Sequence, residues 1–218
     1  MSRTISVTGK GSISVKPDMI RLCFNMSGVR PEYNEALRLS SDESGALKKC
    51  LQKLGFKDDA LKTTSFSIDS KYENYRDEKN EYVREFVGYE YRHSAYIAFE
   101  ADNVLLGKIL SAIAAIEIAP EFHIEYTVRD PESARKKLLE AAVKDARAKA
   151  ECITTAANVA LDVIEAIDYA FEDEPIVSRP LSRAMLCAKA NDEASFDIEP
   201  DDIKLTDSVR IVWSIRAL

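Results

Sequence analysis

Between Pro131 and Val159 the chain carries an apolar pattern at helical spacing, through Leu139, Val143, Ala146, Ala150, Ile153 and Ala157. Steps of four and three place such residues on one side of a helix. The stripe is mostly alanine, so whatever packs on it can approach closely. The Asp130-Pro131-Glu132 entry supports the same element: a capping side chain, a first-turn proline and an acid matched to the positive helix end. A long alanine-rich helix therefore needs a partner that lies flat against it.

The rest of the chain supplies strands. Thr4 to Val15 alternates polar and apolar residues around Gly9-Lys10-Gly11, where the glycines predict a bulge or tight turn. Ile20 to Val29 alternates again, with Ile20, Leu22, Phe24 and Met26 on one face and Cys23 on the other. A helix is expected from about Glu32 to Leu54, stopped by Gly55. Leu61 to Tyr72 and Phe86 to Glu100 read as strands, joined by a charged hairpin tip over 73–84. Asp102 can cap a second helix with a stripe from Leu105 to Ile116, and Phe122 to Val128 alternates as the next strand. Val163 to Phe171 and Ser208 to Ala217 read as closing strands. Residues 19–128 thus run strand, helix, strand, strand, helix, strand, the order of a split βαβ sandwich with helices on one face. The fold class is α+β with antiparallel sheets, in one domain spanning 1–218 that has room for two lobes.

Charge bounds the function. The net charge of −7 disfavours nucleic acid and anionic lipid. Nine acidic residues against three basic ones fall between Glu172 and Asp202. With prolines and no apolar period, 173–202 reads as a long mobile acidic loop. No apolar run approaches the roughly 18 residues needed to span a bilayer, so no membrane span is expected. The strand-like N-terminus lacks a secretory pattern and points to the cytoplasm. Cys23, Cys50, Cys152 and Cys187 are widely separated. The first three read as buried free thiols.

None of the reactive residues composes a recognisable catalytic motif. Gly9 and Gly11 lack the Gly-Lys-Ser/Thr of a phosphate loop. Adjacent His93 and Ser94 point to opposite strand faces. His123 and Glu125 share a face and could form a weak metal site, although a solvated outer face is the commoner arrangement. No catalytic, cofactor or metal residue is assigned. The aromatic residues around the hairpin, Tyr72, Tyr75, Tyr82, Phe86, Tyr89 and Tyr91, are the candidate interaction surface, because such rings cover large areas with few rotatable bonds.

The opening from Ile5 through Gly9-Lys10-Gly11 to Pro17-Asp18 resembles the signature of SIMPL-domain proteins, a group that includes bacterial periplasmic immunogens and a mammalian kinase-binding adapter. Leu54-Gly55-Phe56, Gly88-Tyr89, Leu106-Gly107-Lys108-Ile109-Leu110, Asp145-Ala146-Arg147-Ala148-Lys149-Ala150 and Val209 to Ile215 resemble later blocks of the same pattern. Three features depart from it. No export signal is read in the opening residues, Asn158 and Asp162 stand where glycines are usual, and Ile118-Ala119-Pro120 replaces a glycine-asparagine turn. The resemblance implies no established reaction. It implies a non-enzymatic binding or scaffold protein, linked to stress responses, kinase binding or self-assembly, with a protein partner or a second copy as the expected ligand. The alternative is a small-ligand binder or enzyme with a pocket between sheet and helices.

Overall fold

The computed structural model describes residues 3–76, 80–116, 118, 120–170, 175–178, 181–182 and 199–217. Among these residues three helices and two antiparallel sheets make an α+β fold. The elements follow in the order β1 (Thr4–Val15), β2 (Met19–Arg30), α1 (Tyr33–Lys53), β3 (Lys62–Arg76), β4 (Tyr82–Glu100), α2 (Asn103–Ala114), β5 (Glu121–Thr127), α3 (Pro131–Ala156), β6 (Val159–Asp168), β7 (Leu181–Ser182) and β8 (Ile203–Ala217). They gather into two compact units, one formed by residues 1–18, 127–178 and 200–218 and the other by 19–126 with 179–199.

The first unit is a sheet of order β1-β8-β6 under α3. Pairing of β1 with β8 runs without a break from Thr4 opposite Ser214 to Val15 opposite Ile203. The expected bulge at Gly9 and Gly11 is therefore absent, and the glycines have another cause. A Cβ placed on Gly9 would lie 2.1 Å from the Ala142 carbonyl oxygen and 2.4 Å from the Ala146 nitrogen. On Gly11 it would lie 2.3 Å from the Leu138 carbonyl oxygen. Strand backbone and helix backbone meet here with no side chain between them.

The buried stripe of α3 is Ala134, Leu138, Ala142, Ala146, Ala150 and Thr154, a run of strict four-residue steps. This corrects the phase read from the sequence: Val143 and Ile153 are exposed. A row of i, i+4 residues winds slowly about the helix, so it follows a partner strand lying oblique to the helix axis. The entry is capped as expected, with Asp130 accepting a 2.9 Å hydrogen bond from the Ser133 N–H and Pro131 in the first turn. The exit comes earlier than Val159. Asn158 takes φ of 57°, a left-handed turn it tolerates in place of glycine, and β6 begins at once. Val7, Val209, Ile211 and Trp213 close the core beside the alanines.

Asp145 ties the helix to the strand from its exposed side, accepting hydrogen bonds from Lys149 Nζ at 2.6 Å and the Lys10 N–H at 2.7 Å. The Lys149 bond, then the Lys10 bond, hold its carboxyl below the ordinary value.

The second unit has the expected split βαβ order. Its sheet runs β3-β4-β2-β5-β7, with α1 and α2 on one face. Strand alternation sorts the residues: Ile20, Leu22, Phe24 and Met26 of β2 and Tyr91, Ile97 and Phe99 of β4 are buried with Leu47 and Leu51 of α1 and Leu106, Ile109 and Ile113 of α2. Asp102 caps α2 through the N–H groups of Val104 and Leu105. The hairpin is longer than the sequence pattern suggests. The strands extend to Arg76 and from Tyr82, so most of the stretch read as a charged tip is paired sheet. The acidic loop at 173–202 lies largely outside the described residues, as does Cys187. Of the other thiols, Cys50 is buried, Cys23 is half-buried and Cys152 is exposed, which corrects the expectation for Cys152. It follows Glu151, on the side of α3 away from the alanine stripe.

Two outcomes follow for stability. Gly9→Ala should lower the unfolding free energy by at least about 1–3 kcal/mol in urea titration. Gly45→Ala, in α1 with open space around its added methyl, should raise it by up to about 1 kcal/mol. The depressed carboxyl of Asp145 stabilises the fold above its unfolded value and loses that effect as pH falls through its folded value. The stability gap between the native chain and Asp145→Asn should thus be present at neutral pH and close below about pH 4.

Candidate functional site

The hairpin carries the candidate surface on the same sheet face as the core. Cross-strand partners share a face, and the register sets Ile68 opposite Tyr91, Ser70 opposite Tyr89, Tyr72 opposite Phe86 and Arg76 opposite Tyr82. Tyr91 is fully buried, Phe86 is 45% exposed and Tyr82 is 77% exposed. The row that makes core near the helices continues outward as an exposed aromatic strip.

The strip has internal order. Phe86 meets both Tyr72 and Tyr89 edge to face, with centroids 5.5 and 5.4 Å apart. Tyr33, at the start of α1, packs edge to face on Tyr89 at 5.7 Å. Arg84 lies over the Tyr72 ring and Arg76 over Tyr82, at 4.1 and 4.5 Å. A register shift between Lys71 and Tyr72 lets Phe86 take the place of Val87 on this face. Gly88, next to the shift, has φ of 137°, and a Cβ there would lie 2.3 Å from the Arg30 carbonyl oxygen.

Of the six residues expected to form the surface, Tyr72, Phe86 and Tyr89 come together and Tyr82 lies further out on the same face. Tyr75 pairs with Val83 and so belongs to the opposite face. Tyr91 does not belong to the surface. It is core, and its hydroxyl donates to the Glu43 carboxylate, while burial and then that bond push the phenol well above its ordinary value. Tyr33 was missed because helical spacing assigns it only to α1. Phe66, also exposed, joins the strip's face and stacks edge to face on His93 at 5.5 Å.

The other face of this sheet is polar. Glu90 receives Lys71 Nζ at 2.6 Å and also pairs with Arg92, and the Lys71 bond holds its carboxyl low. Further along, Cys23, His123 and Glu125 converge, the one group of three metal-ligating side chains among the described residues. Burial, then the Glu125 carboxylate, push the Cys23 thiol up to about 11. His93 and Ser94 do not meet as a nucleophile and base: Thr63 Oγ1 lies 2.9 Å from His93 Nε2, and Ser94 Oγ donates to Asn25.

In the first unit a half-open cavity of about 1160 Å³ is lined by Lys10, Ser12, Arg135, Leu138, Asp207 and Arg210 among others. Two of its charged groups are engaged with neighbours. Tyr169 donates to Asp207 at 2.8 Å, and Arg210 Nε donates to Ser6.

The family pattern matches across both units. Residues 5–213 match the SIMPL family, described as a protein of unknown function (DUF541). The chain belongs to the SIMPL family. No curated protein matches it. In this SIMPL chain Gly9 and Gly11 of β1 are points of contact with α3, and Gly88 lies beside the hairpin bulge.

Surface and core positions on one strand should respond differently. Tyr82→Ala should leave unfolding free energy within about 0.5 kcal/mol of the native chain. Tyr91→Ala should cost about 3–5 kcal/mol. Equal losses in a denaturant titration would contradict the assignment of Tyr82 to an exposed strip.

Proposed function

We propose that this SIMPL protein is a non-enzymatic binding protein that associates with a second copy of itself through the β3–β4 hairpin. The observation that carries this reading is the aromatic strip on a hairpin whose outer strand is a sheet edge. β3 is 15 residues long and stands at the end of the sheet order, so its outward backbone groups are open to another strand.

The sequence of β3 also favours one self-pairing. An antiparallel two-fold contact centred on Ser70 sets Lys71 opposite Asp69 and Tyr72 opposite Ile68 on each side. Centring it on Asp69 would oppose that carboxylate with itself and Lys62 with Arg76. Charge thus selects the first register. Among the described residues no helix is long and apolar enough to cross a membrane. The free thiols of Cys23, Cys50 and Cys152 accord with a reducing, cytoplasmic setting.

The second reading, a small-ligand site, draws on the cavity beside β1 and the start of α3. Its size is sufficient for a small molecule. It is the weaker reading because the cavity is half open and Asp207 and Arg210 of its lining are already hydrogen-bonded, to Tyr169 and Ser6.

Light scattering after size exclusion tests the first reading. The full chain should elute as a dimer or larger closed oligomer, and Tyr72→Ala with Phe86→Ala should reduce it to a folded monomer. A native monomer at high concentration sinks the proposal. An oligomer that survives the hairpin changes but dissociates on Ile164→Lys would move the interface to the exposed residues of β6 and overturn the β3 assignment.

A further inference from the structure

Cys23 lies on β2 and His123 and Glu125 on β5, neighbouring strands of one sheet. Alternation turns all three outward. Leu22 and Phe24 flank Cys23 and are buried, and Ile124 between His123 and Glu125 is buried too. The three side chains share the solvent face and are half-buried on it.

Their reactive atoms already lie near one point. His123 Nε2 is 3.3 Å from Glu125 Oε1, Cys23 Sγ is 3.7 Å from Glu125 Oε2, and the three groups offer ligand atoms within 4.8 Å of one another. A tetrahedral zinc ion with ordinary bond lengths holds neighbouring nitrogen, oxygen and sulfur ligands about 3.3–3.6 Å apart. The histidine–glutamate separation fits that range, and the cysteine–glutamate separation is within about 0.2 Å of it. Sulfur, imidazole and carboxylate together select a borderline-soft divalent cation over calcium or magnesium.

Arg21 is the charged neighbour to reconcile. Its guanidinium lies 3.9 Å over the Tyr96 ring and also reaches the Cys23 thiol, which it favours in the ionised form. Its Nε is 4.0 Å from Glu125 Oε2 and has no hydrogen-bond partner of its own. With the thiolate and carboxylate as ligands, two negative charges face a dication and one guanidinium. The guanidinium is placed to donate to a ligand oxygen or sulfur from outside the coordination sphere, the usual role of a supporting group.

We propose that Cys23, His123 and Glu125 form a zinc-type metal site on the outer face of the five-stranded sheet. Three protein ligands leave a fourth position to water or to an external donor. The site stands independently of self-association, since it occupies the face opposite the aromatic strip.

Cobalt(II) alone is the probe, titrated anaerobically into the full chain carrying Cys152→Ser and Cys187→Ser, with far-ultraviolet circular dichroism as the fold control. The expected result is one saturable equivalent with a thiolate-to-cobalt charge-transfer band in the near ultraviolet, displaced by zinc. Cys23→Ser should abolish the band, and His123→Ala or Glu125→Gln should weaken binding tenfold or more. Absence of a saturable band, or a band that survives Cys23→Ser, overturns the site. Should Cys23→Ser fail to fold, His123→Ala decides: unchanged cobalt affinity refutes the proposal and a tenfold loss upholds it.

Discussion

The contact of β1 with α3 is made by two backbones, and the first unit depends on it. Gly9 and Gly11 offer no side chain, and Ala142 and Ala146 offer only a methyl. A glycine opposite an alanine brings the helix down until carbonyl and amide groups of one element touch those of the other. This distance fixes what else fits: Val7 and Trp213 fill the flanks where the twisted sheet diverges from the helix. It also gives Asp145 its reach, since only a helix lying so low can place a carboxylate 2.7 Å from the Lys10 N–H. Larger residues at these four positions would lift the helix and open each of those contacts together.

Period-two and helical patterns carried most of the fold, because each reports which side of one element is apolar. The strand and helix order of residues 19–128 was legible for that reason, as were the caps at Asp102 and Asp130. Where reading failed, the deciding information lay in a partner element. The glycines of β1 suggested a bulge because glycine has the same local signature whether it bends a strand or admits a helix. The α3 stripe was read through Val143 and Ile153 because hydrophobicity outweighed alanine in the pattern, whereas packing distance put alanine inside. The hairpin strands were cut short because charged residues mark a loop and a solvated ribbon equally well.

The candidate surface shows the same limit at finer scale. Tyr91 and Phe86 lie on one face of one strand, and no local feature distinguishes them. What separates core from surface is how far the helices reach across the sheet, a length set by α1 and α2 rather than by β4. A hairpin that outruns its helices must expose the continuation of its core row. Stacking of Phe86 on Tyr72 and Tyr89, and of arginines over Tyr72 and Tyr82, covers part of that row without burying it.

The opposite face obeys the same alternation with another consequence. Cys23 is separated from Glu125 by 102 positions, so no spacing rule could join them, and their meeting depends on β5 lying beside β2 in the split βαβ order. Isolated on their own strands, His123 with Glu125 is an ordinary polar pair and Cys23 an ordinary thiol. The topology converts them into a set with three kinds of ligand atom, held by strands whose inner faces are locked in the core. The aromatic strip on β3 and β4 and the ligand cluster on β2 and β5 lie on opposite faces of one sheet and so face different surroundings. Substitution in one can leave the other intact, provided the buried core of the sheet is preserved.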